Sequence, residues 1–423
     1  MEKRQRIVIV GGGFAGLEFI KTINRSRNFD VCLVDANNYN FFPPLIYQVS
    51  TGLMEPSAIS YPFRKILRGM KNVRFRLGLL HKVVPRENKI ILSNGEVLYD
   101  LLIMATGTET NYFGNKSIEQ SSLPMKTISD ALYIRNVIFT RLDRATRVQD
   151  PLARKRLLTF VIAGAGPTGV ELSGVFSEMR ANILRKDYPE LSSDDLGDIY
   201  LVDGQDTVLA AMSKKSQQYT TRKLKELRVK IILDTLVTDF VDGTVSLSNG
   251  STIESANLIW AAGVSARVFE GFGADSFGHG KRLKTNKYNL VEGYENIYAL
   301  GDCAIISNDK DYPNGHPQLA QPAIQQAKNL AYNLKSTSGN WKPFKYSNKG
   351  SLAIIGQNKA VFDLPNKWFM KGFLAWFIWI FVHIMGLVNF NNKLRTFVNW
   401  IGYYIYKDQS FRMIIKPRDH RDE

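Results

Sequence analysis

The chain has 423 residues, room for two or three domains of about 150 residues each. Hydrophobic residues make up 44% and charged residues 22%, a globular mix that excludes disorder, collagen and coiled coil as descriptions of the whole chain. Lys plus Arg is 55 against 39 Asp plus Glu, a net charge of +16, and only two cysteines are present, Cys32 and Cys303. The cysteine count excludes a disulfide scaffold and a cysteine-rich zinc or iron–sulfur centre, and no metal is expected.

The basic excess calls for an anionic neighbour. No nucleic-acid motif and no long Lys/Arg run occurs, so a nucleic-acid partner is not expected. The N-terminus reads Glu2-Lys3-Arg4-Gln5-Arg6 and then Ile7-Val8-Ile9-Val10. Four apolar residues are too few for a signal peptide, so a buried parallel strand is expected, with no export or transit peptide.

That strand runs into Gly11-Gly12-Gly13-Phe14-Ala15-Gly16, a GxGxxG loop that opens a helical pattern. In a dinucleotide site the first glycine makes the tight turn and the second lets the backbone approach the pyrophosphate. The third lets helix and strand pack closely. A second strand, Val31–Asp35, ends in Asp35, 22 residues beyond Gly13, where a carboxylate would hydrogen-bond ribose hydroxyls. An apolar strand follows at Asp100–Met104, ending in Ala105-Thr106-Gly107.

Residues 113–155 read as a connector with a helical pattern. The strand–glycine–helix pattern then restarts at Leu158–Ala163, with Gly164-Ala165-Gly166-Pro167-Thr168-Gly169 lying 153 residues beyond the first loop. Its acid is Asp203, 37 residues beyond Gly166, the excess being taken up by the polar stretch Asp187–Asp198. An acid there favours NADH over NADPH, whose 2′-phosphate it would repel. Two such units in one chain predict two dinucleotide sites. The strand Asn296–Leu300 ends in Gly301-Asp302, a loop and a helix follow, and aromatics become dense after about 341.

The paired loops, the Ala-Thr-Gly strand and the Gly-Asp strand resemble the two-dinucleotide-binding-domain flavoproteins. Five further pieces make the chain similar to the type II NADH dehydrogenases, single-subunit NADH:quinone oxidoreductases of the respiratory chain. They are Phe41–Val49, Gly164–Leu172, Trp260–Val264 with Ala262 and Gly263, Ala320–Gln326, and the aromatic tail. The resemblance implies an α/β fold of two Rossmann-like dinucleotide-binding domains plus a C-terminal membrane-associated helical segment. It sets an FAD domain at 1–112 and 286–340, an NADH domain at 113–285 and a membrane-anchoring region at 341–423.

The resemblance also assigns residues. FAD would be held by Gly11, Gly12, Gly13, Phe14, Ala15, Gly16, Asp35, Ala105, Thr106, Gly107, Gly301, Asp302, Ala320 and Gln321. NADH, the co-substrate, would be held by Gly164, Gly166, Gly169, Asp203, Ala262 and Gly263. The membrane quinone would meet Pro44, Gln48, Gln321 and Gln325. Glu171, in the first turn after the second loop, is the catalytic candidate, placed by the resemblance beside the flavin. A plain acid at a helix N-terminus is the alternative. Pro322 departs from the aliphatic residue usual in the family, and Asp203 stands where Glu is common. Phe41–Gly52 lacks the cysteines that disulfide and sulfide:quinone reductases need, so both thiols read as packing residues.

Residues 372–388 carry one strongly polar side chain, His383, among many aromatics, over a length at the lower limit for spanning a bilayer. Leu394, Phe397, Val398, Ile401 and Ile405 then form an apolar stripe at helical spacing, flanked by Lys393, Arg395 and Lys407. From Asn366 onward nine Lys/Arg face four acids. Two amphipathic helices lying on an anionic leaflet, at the cytoplasmic face of the cell membrane, fit this pattern. A buried core helix and a spanning helix stay open, as does a homodimer. The rival functions are a flavin reductase serving a soluble electron-transfer protein and a non-catalytic, membrane-docked redox sensor.

Overall fold

The computed structural model describes residues 4–182, 184–307, 309–336, 339–366, 368–407 and 411–415. In chain order, β1 (Gln5–Val10) leads into α1 (Phe14–Ile23) and β2 (Phe29–Asp35). A short helix α2 (Ile46–Ser50) precedes β3 (Val73–Leu77), a three-stranded antiparallel meander spans 80–98, and β4 (Leu101–Met104) follows. Next come β5 (Leu123–Pro124), α3 (Ile128–Ala145), β6 (Phe160–Ala163), α4 (Pro167–Asn182), β7 (Ile199–Val202), α5 (Lys214–Glu226), β8 (Val229–Ile232) and β9 (Asn257–Trp260). Then β10 (Ile297–Ala299), α6 (Ala320–Lys335), the meander β11 (Ser351–Gly356), β12 (Lys359–Asp363) and β13 (Phe369–Lys371), and finally α7 (Phe373–Gly386) and α8 (Phe390–Tyr406).

By their contacts these residues part into two units. One comprises Met1–Phe41, Tyr61–Glu109 and Val264–Lys349, the other Phe42–Ser60, Thr110–Gly263 and Gly350–Glu423. The first holds a parallel five-stranded sheet in the order β10-β4-β1-β2-β3. The second holds a parallel five-stranded sheet in the order β5-β9-β6-β7-β8. Four strands repeat one pattern, β4-β1-β2-β3 and β9-β6-β7-β8, while the outer strand comes last in its unit as β10 and first as β5, so the repeat seen in the sequence is a repeat of core topology. In each sheet the glycine loop follows the central strand, whose neighbours carry the chain away in opposite directions. That is the switch point at which open α/β sheets bind nucleotides.

Each sheet reads as near-continuous apolar runs because both faces are covered. Val8, Val10, Val34, Leu102 and Met104 share the first core with Phe269, Val291 and Cys303. Val161, Ala163, Val202, Leu258 and Trp260 share the second with Phe240 and Val245. The connector's expected helix is α3, which buries Ala131, Ile134, Ile138 and Leu142. The connector also supplies an edge strand, β5, that its two residues gave no pattern to announce.

Within the second unit, α4 lies directly on β11, and Gly174 has no Cβ because the Ile355 carbonyl occupies that position. Asp363 on β12 accepts hydrogen bonds from Ser213 and Ser216 at the start of α5. α8 is amphipathic with the usual polarity reversed, whereas α7 is apolar on both sides, burying Ala375 and Trp379. On α8 the buried stripe is Asn392, Thr396 and Trp400, and each bonds into the segment 48–60. Asn392 donates to Ser60 O (3.0 Å), Thr396 to Ala58 O (3.4 Å) and the Trp400 indole to Gln48 Oε1 (2.7 Å). Leu394, Phe397, Val398, Ile401 and Ile405 all point outward, as do Phe373, Leu374, Phe377 and Phe381 on α7. At 14 residues α7 is about 21 Å long, short of a bilayer core of about 30 Å. Among the described residues no helix is long and apolar enough to cross a membrane. Of the basic residues counted in the tail, Lys367, Lys416, Arg418 and Arg421 lie outside the described residues.

Candidate active site

The first glycine loop is shaped by three close approaches. Gly11 has φ +104°, and a Cβ there would run into the Ala105 carbonyl at the end of β4. A Cβ on Gly12 would meet the Phe63 ring, and one on Gly16 would meet the Gly11 carbonyl. Gly13, the cap of α1, has nothing within 4 Å of its missing Cβ and no side chain capping the helix. The loop therefore offers open space beside the N-terminal end of α1, which is what a pyrophosphate requires. Gly107, after Ala105 and Thr106, is likewise open, with φ +65°. These features fit the phosphates and ribose of FAD.

The second loop repeats this. Gly164 has φ +105°, its Cβ would meet the Ala261 carbonyl after β9, and that of Gly169 would meet the Gly164 carbonyl. Gly166 is open on the side where Gly13 is open. Ala262 and Gly263 follow Ala261 at the same sheet end, where the Trp260 indole donates to Asn111 O (2.8 Å). The two acids repeat as well. Asp35 accepts from Gly12 N (2.7 Å) and Asn37 N (2.8 Å). Asp203 accepts from Ala165 N (2.5 Å) and Gln205 N (2.7 Å). Burial pushes the Asp35 carboxyl up, against the downward pull of its backbone hydrogen bonds. Each carboxylate ties the strand end to the glycine loop and keeps acceptor lone pairs for a ribose.

Also in the first unit, Gly301 (φ +71°) packs against Ala15 and Ala323, which sets Gly301-Asp302 beside the start of α1 and of α6. The Gly301 N–H donates to Gln326 Oε1 (2.7 Å), and Gln318 donates to Asp302 O (3.1 Å). Gln326 is buried and was not singled out from the sequence, because its neighbours Gln321 and Gln325 looked the more prominent pair. Those two tie down the segment 346–349. Gln321 accepts from Tyr346 (3.3 Å) and Lys349 N (3.0 Å), and Gln325 exchanges two 2.9 Å bonds with the Ser347 backbone. Ala320 is the first residue of α6 after the cap Leu319, so Pro322 falls in the first turn, where a missing N–H costs no helical bond. Burial raises the thiols of Cys32 and Cys303 above the ordinary range, which suits packing better than nucleophilic chemistry.

In the second unit Glu171 is only 8% exposed, beneath the last two helices. Burial pushes its carboxyl well up, against a hydrogen bond from Ile354 N and the nearby Trp379 indole N–H, which approaches without closing a well-aligned bond. A narrow cavity of about 50 Å³ runs past Glu171 and is walled by Tyr47, Gln48, Leu53, Val175, Trp379 and Trp400. Gln48 donates to the Tyr47 hydroxyl (3.0 Å) while accepting from Trp400. Pro44 is half-buried in the turn Pro43–Leu45 that feeds α2. His383 stacks on Trp379 with ring centroids 3.9 Å apart, and its Nδ1 lies 2.7 Å from Trp379 O. A carbonyl only accepts, so Nδ1 carries the proton. The sequence did not single out Tyr47, Glu178, Tyr403 or His383 as site residues. The one local signal was a second acid two helical turns beyond Glu171.

Known proteins match this architecture along nearly its full length. Residues 5–327 match the pyridine nucleotide-disulphide oxidoreductase family and residues 348–407 the NDH2 C-terminal domain. The type II NADH:quinone oxidoreductase Ndh of Mycobacterium tuberculosis is 34% identical over 416 residues, covering 94% of this chain and 88% of that protein. The mitochondrial external alternative NADH-ubiquinone oxidoreductase of Yarrowia lipolytica is 27% identical, over 95% and 80%. Among solved structures, NDH2 of Plasmodium falciparum in complex with NADH aligns with a TM-score of 0.88 at 22% identity, over 98% of this chain and 100% of that one. The sulfide:quinone oxidoreductase of Aquifex aeolicus shares the fold at a TM-score of 0.72 and 17% identity, over 96% of each chain. With two matching nucleotide cradles, no cysteine in Phe41–Gly52 and a C-terminal region of the NDH2 kind, the chain belongs to the type II NADH:quinone oxidoreductase family.

Proposed function

We infer that the chain is an FAD-dependent NADH:quinone oxidoreductase that moves no protons across the membrane. The observation that carries the reading is the duplicated cradle, one loop geometry and one Asp–amide clasp built twice in a single chain. The loop at Gly11–Gly16, Asp35, Ala105–Gly107, Gly301-Asp302 and the start of α6 at Ala320-Gln321 would hold FAD. Gly164, Gly166, Gly169, Asp203, Ala262 and Gly263 would hold NADH, and the Asp203 carboxylate disfavours a 2′-phosphate. FAD, when bound, accepts the hydride of NADH and passes the electron pair to the quinone.

Residues of the chain supply the rest. Pro44, Gln48, Gln321 and Gln325 are the proposed quinone contacts, with Gln48 held in one orientation by Tyr47 and Trp400. Glu171, whose carboxyl burial pushes well up, is the proposed proton donor or polarising group for a quinone oxygen. The outward apolar faces of α7 and α8, rimmed by Lys371, Lys393, Arg395 and Lys407, suit docking on an anionic leaflet at the cytoplasmic side. The proposed division is an FAD domain at 1–112 and 286–340, an NADH domain at 113–285 and a membrane-docked region at 341–423. Glu171→Gln should lower NADH:quinone turnover about tenfold or more. Turnover within about twofold of wild type would take Glu171 out of the reaction.

A further inference from the structure

Reduction of a quinone by NADH consumes a proton that NADH does not bring: NADH + H⁺ + quinone gives NAD⁺ + quinol. NADH is oxidised, the quinone gains two O–H bonds, and one of the two hydrogens comes from solvent. Glu171 is buried, so it cannot collect that proton from water directly.

A second acid lies on the same helix. Glu178 follows Glu171 by seven residues on α4, two turns or about 10.5 Å along one face. Both carboxyls wall the same narrow cavity. Glu178 is 9% exposed, and both its oxygens are engaged. Oε1 accepts from Gln357 N (2.5 Å), and Oε2 accepts from the Tyr403 hydroxyl on α8 (2.7 Å). Tyr403 is partly exposed and walls the same cavity as the exposed Tyr404, which gives the cavity a side toward solvent. A cavity of about 50 Å³ has room for a few waters, and Tyr47, Gln48 and the two acids give them polar partners. A carboxyl–phenol pair of this kind is more than a clamp requires, since an amide would hold Tyr403 as well.

We propose that Tyr403 and Glu178 are the proton entry for quinone reduction, passing a solvent proton along α4 to Glu171. Tyr403 gives its hydroxyl proton to the Glu178 carboxylate and takes another from solvent. Glu178 releases its proton through the cavity to Glu171, which delivers it to the quinone oxygen. The groups that face Glu178 are Gln357, Lys359 on β12, Tyr403 on α8 and the Tyr47 phenol on α2. Burial pushes the Glu178 carboxyl up, against the downward pull of Gln357, Tyr403 and Lys359. The proposal rests on the quinone-reductase reading and on Glu171 as the donor.

The test separates the two halves of the reaction. Holoenzyme is reduced anaerobically with NADH, then mixed with a short-chain quinone, and flavin absorbance is followed in both steps. Glu178→Gln should leave bleaching by NADH within about twofold of wild type and slow reoxidation about tenfold or more, with the deficit widening as pH rises. Glu178→Asp should recover part of the rate, and formate should restore reoxidation in Glu178→Ala. Quinone added to reduced wild type should perturb a protonated-carboxyl infrared component that Glu178→Gln lacks while keeping the one from Glu171, a change on turnover that a purely structural clamp would not produce. Should Glu178→Gln fold poorly, Tyr403→Phe decides, because it keeps the acid and removes its donor. Reoxidation within twofold of wild type, with an unchanged pH profile, in whichever of these variants folds overturns the relay. If Glu171→Gln is slow while Glu178→Gln is not, only the relay fails. If wild type does not reduce quinone, the underlying reading fails instead.

Discussion

His383 shows how far a single residue can be read. The sequence displays it as the one strongly polar group in an aromatic run, and nothing local says where it points. In the fold it is sandwiched near Trp379 and Phe42, its Nδ1–H spent on the Trp379 carbonyl. Burial lowers its pKa to about 4, from an ordinary value of about 6.5. The unfolded chain therefore binds a proton in that window and the folded chain does not. The neutral ring contributes stability above about pH 6.5 that drains away as pH falls toward 4, at up to about 1.36 kcal/mol per pH unit. His383→Gln keeps a donor for the carbonyl and has no such titration. Its melting temperature should fall less steeply than wild type between pH 6.5 and 4.5, and parallel curves would remove His383 from the acid response. Asp35 was legible because loop and acid are separated by a length that the strand–helix–strand unit fixes, and Asp203 because it ends the second strand of the repeated unit despite the added stretch Asp187–Asp198. Glu178 and Tyr403 were not, because they stand 225 positions apart and no periodicity links them.

At the level of elements, the stripe Leu394, Phe397, Val398, Ile401, Ile405 was legible as a shared face, but its direction was not. Periodicity says which residues stand together and not what lies against them. Here the polar stripe Asn392, Thr396, Trp400 goes inward, because the backbone carbonyls of Ala58 and Ser60 and the amide of Gln48 need donors. The apolar stripe is left to the outside, where lipid can take it. Each half-exposed side chain of this size gains on the order of 1 kcal/mol on entering hydrocarbon. The double variant Leu394→Ser, Ile401→Ser changes no inward contact of α8. It should shift the protein from the membrane fraction to the soluble fraction at neutral pH while its thermal melt stays near wild type. Unchanged partition would mean that this face is not the lipid contact. Wild type itself should be released by alkaline carbonate, as a surface-docked chain is, and retention would mean a spanning segment.

For the whole molecule, the repeat of strand order and of loop geometry makes one unit a control for the other. Gly11 and Gly164 have the same backbone angle and the same obstructing carbonyl. Alanine at either position is strained and collides, so each variant should empty one cradle. Gly11→Ala should yield a protein purified without visible flavin absorbance. Gly164→Ala should stay yellow but bleach with NADH at least about tenfold more slowly at a given concentration. Loss of colour from both would mean that the cradles are not assigned as proposed. The outward apolar faces of α7 and α8 have a further consequence. Between release from the ribosome and arrival at the bilayer, each newly made copy carries an oily sole in contact with water. A copy held away from lipid would present that sole to other copies, so detergent or lipid should keep the purified protein dispersed.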